Sequence, residues 1–249
     1  MINEPGIGVH LGTILGGFLP IEPRDKPAVY RLDQFRRDDE NYFFSSESEE
    51  VWRPALRSLM LKRFRVQLGD HRWAVIKEPH GSQAADIVMS LLPRSRMIFL
   101  LRDGRDVIDS MLDAVTADGW LLGLLDGYRS ADRAASIRSQ AYMWLWRTEA
   151  VQRAFEAHSD ALKMMVSYED LRSLPAPVLR DVASWLDLDY DPMVELARRT
   201  DVETAQKGPG KFIRAAEPGL WRKNLSAEER ASVEAIIGDK LSELGYPAG

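Results

Sequence analysis

The stretch Met97-Ile-Phe-Leu-Leu-Arg-Asp-Gly-Arg-Asp-Val-Ile-Asp-Ser-Met-Leu-Asp113 decides how the chain folds. Its apolar run, Met97 to Leu101, reads as a strand buried on both faces, and helical spacing follows at once at Val107, Ile108, Met111 and Leu112. A strand therefore feeds directly into a helix, with Asp103 as N-cap, Asp106 three residues on, and Gly104 easing the turn between them. Arg102 stands at the carboxyl end of that strand. This is the edge at which open α/β sheets bind ligands, and a helix N-terminus beside an arginine favours a phosphate or another anion. The same pattern also allows Arg102 and Arg105 to be surface charges paired with Asp103, Asp106 and Asp109.

On the N-terminal side, residues 73–77 read as a short strand, 78–82 as a polar turn and 83–92 as a helix, so that strand, helix, strand and helix make a βαβ unit with parallel strands. Further upstream, Ser46 or Ser48 can cap a helix running to about Leu68, with Trp52, Leu56, Leu59, Met60 and Phe64 near one face. Pro54 is awkward inside it, and regular helix is expected from there. Residues 21–45 read as an irregular loop, and the first apolar residues come so soon after Met1 that a leading strand has little room.

On the C-terminal side, the glycine-interrupted residues 114–130 read as a broken helix or lid, 131–158 as the longest helix, and 162–168 as a strand closed by a turn at Glu169-Asp170. Helices are expected over 176–187 and 191–199, a loop over 203–220, and a final helix from Ser226, with Glu228 and Glu229 in its first turn, to about Leu244. The fold class is α/β, a parallel β-sheet flanked by helices.

At 249 residues the chain suits one well-buried domain. A net charge of −5 argues against a general nucleic-acid binder while leaving room for a local basic site for an anionic cofactor. The absence of cysteine excludes disulfides, thiolate zinc sites and a cysteine nucleophile. His10, His71, His80 and His158 are scattered, without the spacing of a helical zinc site, so no metal is expected. There is no signal-peptide pattern and no apolar run long enough to span a membrane; a cytoplasmic protein is expected. A homo-oligomer is compatible with the sequence.

The segment Phe-Leu-Leu-Arg-Asp-Gly-Arg-Asp-Val-Ile-Asp-Ser resembles the 3′-phosphate motif of sulfotransferases that use 3′-phosphoadenosine 5′-phosphosulfate (PAPS), in which an arginine ends the strand and a serine lies eight residues later. Arg102 and Ser110 match that spacing. Two further segments are similar to the same family. Ser167-Tyr-Glu-Asp-Leu171 resembles its Tyr-Glu-Asp-Leu segment, which implies Tyr168 beside the adenine. Arg214, seven residues before Trp221-Arg-Lys-Asn224, resembles the arginine of its C-terminal cofactor loop, although Ala215 and Ala216 replace the Lys-Gly next to it there. The resemblance, in the right order across roughly residues 75 to 225, implies a P-loop-kinase-like sulfotransferase fold and PAPS as co-substrate, without a metal.

The resemblance also implies an N-terminal strand and a phosphosulfate loop of the form Pro-Lys/Arg-Ser-Gly-Thr-Thr. No such loop is seen: Gly6 to Gly17 contains no lysine and does not fit one. The Asn-Glu-Pro start instead resembles the segment beyond that loop and its helix in tyrosylprotein and related bacterial sulfotransferases, so the natural chain is expected to extend upstream of Met1. Glu4 matches their catalytic base. His80, near the position of a Lys-Thr-His segment in cytosolic members, is the second candidate base, and Lys77 is a candidate to neutralise the sulfuryl group. Each has a plainer reading: a solvated terminal charge for Glu4, a turn histidine for His80 and a strand-end surface lysine for Lys77. Three functions stay open: sulfuryl transfer to a hydroxyl or amine of a small or medium acceptor, a non-catalytic sulfotransferase-like binding or scaffold protein, and another nucleotide-binding α/β enzyme such as a kinase relative.

Overall fold

The structure is a computed structural model that describes residues 2–3, 49–71, 73–77, 82, 84–114, 132–191 and 217–249. The chain is mixed α/β, mostly helical, and divides into two compact units, Met1–Phe99 with Trp146–Met164 and Leu100–Leu145 with Met165–Gly249. The β-structure is a pair of two-stranded sheets. β1 (Ile2–Asn3) pairs in parallel with β2 (Ile76–Lys77), and β3 (Met97–Leu101) pairs with β4 (Lys163–Ser167).

In the first unit, α1 (Glu49–Leu68) packs against α2 (Ala85–Leu91). Trp52, Met60 and Phe64 of α1 and Ile87 and Leu91 of α2 form the core, with Leu56, Val88 and Leu92 at its margin. The four-residue spacing of Trp52, Leu56, Met60 and Phe64 makes one stripe on α1. Leu59 lies off that stripe and is 65% exposed, so its expected place on the buried face is corrected. The helix also starts five residues ahead of Pro54 and continues through it. A second cluster joins Ala85 and Met97 to Ala154, with Phe99 and Phe155 tilted at 58° and 5.9 Å between ring centroids. The imidazole Nε2 of His158 lies 2.9 Å from the Ser95 carbonyl, tying the end of a long helix to the turn before β3.

Two strand expectations change in this unit. The 73–77 strand contracts to β2, and Trp73 and Val75 are more than half exposed, because pairing with β1 covers two residues only. A strand therefore exists at Ile2–Asn3, where little room was expected. The partner of β2 is β1 and that of β3 is β4, so the expected βαβ unit is not a directly paired one.

The second unit is built on α3 (Gly104–Ala114), which packs against α7 (Trp221–Asn224) and α8 (Ala227–Glu243). Ile108 and Leu112 of α3, Ile137, Ala141 and Trp144 of α4 (Arg133–Ala157), and Val233, Ile237 and Leu241 of α8 are buried. β4 runs into α5 (Tyr168–Ser173) and then α6 (Pro175–Leu186), where a turn was expected at Glu169-Asp170. The Ser167 side chain caps α5 by accepting from the Asp170 amide. Ser226 and Glu229 form a reciprocal capping box at the start of α8, as the spacing there suggests. β3 covers the expected residues but is not buried on both faces: Met97, Phe99 and Leu101 are buried while Ile98 and Leu100 are 43% and 52% exposed. Among the described residues no helix is long and apolar enough to cross a membrane.

Gly104 has a packing role besides its place in the turn. A Cβ there would lie 2.7 Å from the Trp144 indole and 2.8 Å from Ile237 Cδ1. The Gly104→Ala variant should therefore lose about 1–3 kcal/mol of stability through overpacking, read from the urea midpoint at unchanged slope; an unshifted midpoint would show that the indole moves aside freely.

Candidate nucleotide site at the ends of the third and fourth strands

Arg102 follows β3 and Tyr168 follows β4, and the Arg102 guanidinium carbon lies 4.5 Å from the centroid of the Tyr168 ring. This contact sets the two carboxyl ends side by side, as in a parallel pair. It also brings together two residues singled out in the sequence for the same ligand. The Nε of Arg102 is buried and has no hydrogen-bond partner among the described residues. Leaving a cationic donor in that state is costly.

Asp103 organises the turn. Its Oδ1 accepts from the Arg105 amide at 2.9 Å, and its carbonyl accepts from the Val107 amide at 3.1 Å, so it caps α3 as expected. The Arg105 side chain turns back onto the same carboxylate, donating from Nε to Oδ1 at 3.0 Å and from Nη2 to Oδ2 at 2.9 Å. Arg105 is only 2% exposed, stacks 4.2 Å from the Trp221 ring, and donates from Nη1 to the Pro247 carbonyl at 2.9 Å. The alternative that both arginines are surface charges fails for Arg105, which is a buried, fully engaged ion-pair member.

Glu169 joins the two strand ends. One carboxylate oxygen accepts from the Asp103 amide at 2.9 Å, and the other accepts from the hydroxyls of Ser167 and Tyr246, both at 3.1 Å. Burial, reinforced by the Glu169 charge and hydrogen bond, pushes the Tyr246 hydroxyl far above the usual tyrosine range.

On α3, Asp106 accepts from the amides of Gly219 at 2.6 Å and Trp221 at 3.2 Å, and Asp109 accepts from the Asn224 side chain at 2.9 Å. Burial raises the Asp106 carboxyl above its ordinary value, against the opposing pull of those two amides and of the Arg102 charge. Trp221-Arg-Lys-Asn224 is thus fastened to the helix that carries Ser110. Ser110 is half-buried and seven residues beyond the Asp103 cap, on the same helical face and about 10 Å along the axis.

Lys77 ends β2 in the first unit, in register with Asn3, with an exposed side chain. Glu4, His80 and Arg214 lie outside the described residues. Sequence reasoning missed the joining role of Glu169, although Ser167-Tyr-Glu-Asp170 carries a helix-capping pattern, and missed Tyr246, for which no local signal exists. Among the described residues, no group of His, Asp or Glu is arranged to hold a metal. A guanidinium whose buried Nε has no partner among the described residues, with an aromatic face beside it, suits an anionic ligand that carries a ring.

The ion network can be tested at two points. Asp103→Ala removes the cap and leaves Arg105 buried without its counter-ion, so stability should fall by about 3–5 kcal/mol in urea denaturation. Because the Asp106 pKa is raised in the fold, the folded state binds the proton more tightly than the unfolded chain does. Its stabilising contribution is complete below the unfolded value and is lost as pH rises through the folded one. Relative to Asp106→Asn, the native chain should therefore gain stability as pH is lowered from 7 towards 4, whereas a constant difference across that range would refute the raised value.

No curated protein matches this chain. A family model described as the sulfotransferase family matches residues 21–192, which include β3, Arg102, Ser110, β4 and Tyr168. On that match, the chain belongs to the sulfotransferase family.

Proposed function

We propose that this protein is a PAPS-dependent sulfotransferase, acting in the cytoplasm as a single sulfotransferase-like domain on a hydroxyl or amine of a small or medium acceptor. The family match supports sulfuryl transfer in general. The observation that carries the choice of donor is Arg102, whose buried Nε lacks a partner among the described residues while its guanidinium stacks on Tyr168. Arg102, Ser110 and Arg214 hold the 3′-phosphate, and Tyr168 lies against the adenine. When bound, PAPS supplies an activated sulfuryl group. Lys77 balances negative charge on the sulfuryl oxygens, and Glu4 or His80 takes the proton from the acceptor. Positioning and electrostatics carry the reaction, as in phosphoryl transfer.

A second reading, from another functional class, is a sulfotransferase-like binding protein without turnover, which membership of the family also accommodates.

Calorimetric titration with 3′-phosphoadenosine 5′-phosphate, paired with a turnover assay on labelled PAPS across phenolic, alcoholic and amine acceptors, separates the two. Arg102→Ala should weaken binding by roughly 100-fold, the loss of a charge-assisted phosphate contact. Unchanged affinity in that variant would sink the assignment of Arg102, and binding without turnover on any acceptor would favour the second reading.

A further inference from the structure

The tail after α8 reaches the nucleotide site by two routes that converge on Asp103. The Tyr246 hydroxyl donates to Glu169, whose other oxygen accepts from the Asp103 amide. The next residue, Pro247, accepts through its carbonyl from Arg105, which is paired with the Asp103 carboxylate. Glu169 also accepts from Ser167. Its carboxylate therefore grips the residue immediately after Arg102 and the residue immediately before Tyr168, the two members of the stack.

We propose that Tyr246, acting through Glu169, is a positioning residue that holds the Arg102 guanidinium on the Tyr168 ring and thereby sets how strongly the site prefers a nucleotide carrying an additional phosphate. The physical argument is one of shared restraint. A carboxylate with two acceptor oxygens and three donors is held in one rotamer, and each donor lost frees it to swing away from the others. The raised pKa of the Tyr246 hydroxyl keeps it a donor across the working pH range. Tyr246 is a positioning residue and not a catalytic one, since its partner is Glu169. The nucleotide preference rests on the proposed function, whereas the coupling of Tyr246 to the stack does not.

The test uses the full chain with Tyr246→Phe, which removes one oxygen, and Glu169→Gln, which keeps the shape but weakens the shared acceptor. The first readout needs no ligand: in nuclear magnetic resonance spectra, Arg102 side-chain protons stacked on Tyr168 are shifted upfield by the ring, with Arg102→Lys identifying the signal. In both variants that shift should collapse towards the value of a free arginine while the thermal midpoint moves little; a retained shift overturns the proposal. The second readout is the ratio of dissociation constants for adenosine 5′-phosphate and 3′-phosphoadenosine 5′-phosphate. It should fall by roughly tenfold in Tyr246→Phe, the scale of one hydrogen bond to a charged group, whereas general loosening would weaken both ligands alike and leave the ratio unchanged, which also overturns it. A collapsed shift in a protein that binds neither nucleotide would uphold the positioning role and refute the proposed function instead.

Discussion

The second unit depends on an ion pair formed within three residues. Asp103 and Arg105 are buried together, and burying either ion alone would cost several kcal/mol. Their attraction offsets that cost only because the carboxylate and the guanidinium are almost fully engaged: the carboxylate takes an amide and two guanidinium nitrogens, while the guanidinium also takes a tail carbonyl and an indole face. The same aspartate caps α3 and presents its own amide to Glu169. One residue thus fixes where the helix starts, where the tail lies and which way Arg102 leaves the strand. Arg105 takes up the Asp103 carboxylate, and the Nε of Arg102 is left without a hydrogen-bond partner among the described residues.

α3 distributes this order. Its first two turns carry Asp106 and Asp109, which together hold the segment at Gly219 to Asn224, and Ser110 comes next in the chain. Trp221 is buried, with the guanidinium groups of Arg105 and Arg222 at 4.2 and 4.5 Å from its ring. One helix thus carries Ser110 and anchors a segment more than 100 positions away. That is how a chain with a net charge of −5 can still present a local cationic site: its acidic residues here serve as acceptors for backbone amides and for Arg105.

The features legible in the sequence were those that local pattern specifies. β3 ends where the apolar run ends, Asp103 caps as its neighbours suggest, and Ser226 with Glu229 announces α8. The burial of β3 was overstated because both alternate sets of its residues are apolar, and periodicity cannot then tell which face is covered. β2 was overextended because a strand is only as long as its partner allows, and that partner lies more than 70 residues away. In the site, Arg102 and Tyr168 were legible through motif and are brought together, while Lys77 belongs to the first unit and Glu4, His80 and Arg214 fall outside the described residues. Glu169 and Tyr246 were not legible, since what matters about them is a contact across 77 positions that no local spacing records.

The separation of these contacts in sequence also orders them in time during synthesis. Asp103 meets Arg105 as soon as both have emerged, but the carbonyl that completes Arg105 lies 142 residues further on. At roughly 5–20 residues per second, the ribosome takes on the order of ten seconds to supply it. Through that interval the nascent chain carries Asp106 without the two amides that will hold it, 113 and 115 positions downstream, and Trp221 has yet to cover the ion pair. The strand ends can meet early, whereas their final fastening waits for the tail. The stack of Arg102 on Tyr168 is therefore fastened later than the ion pair beside it as the protein is made.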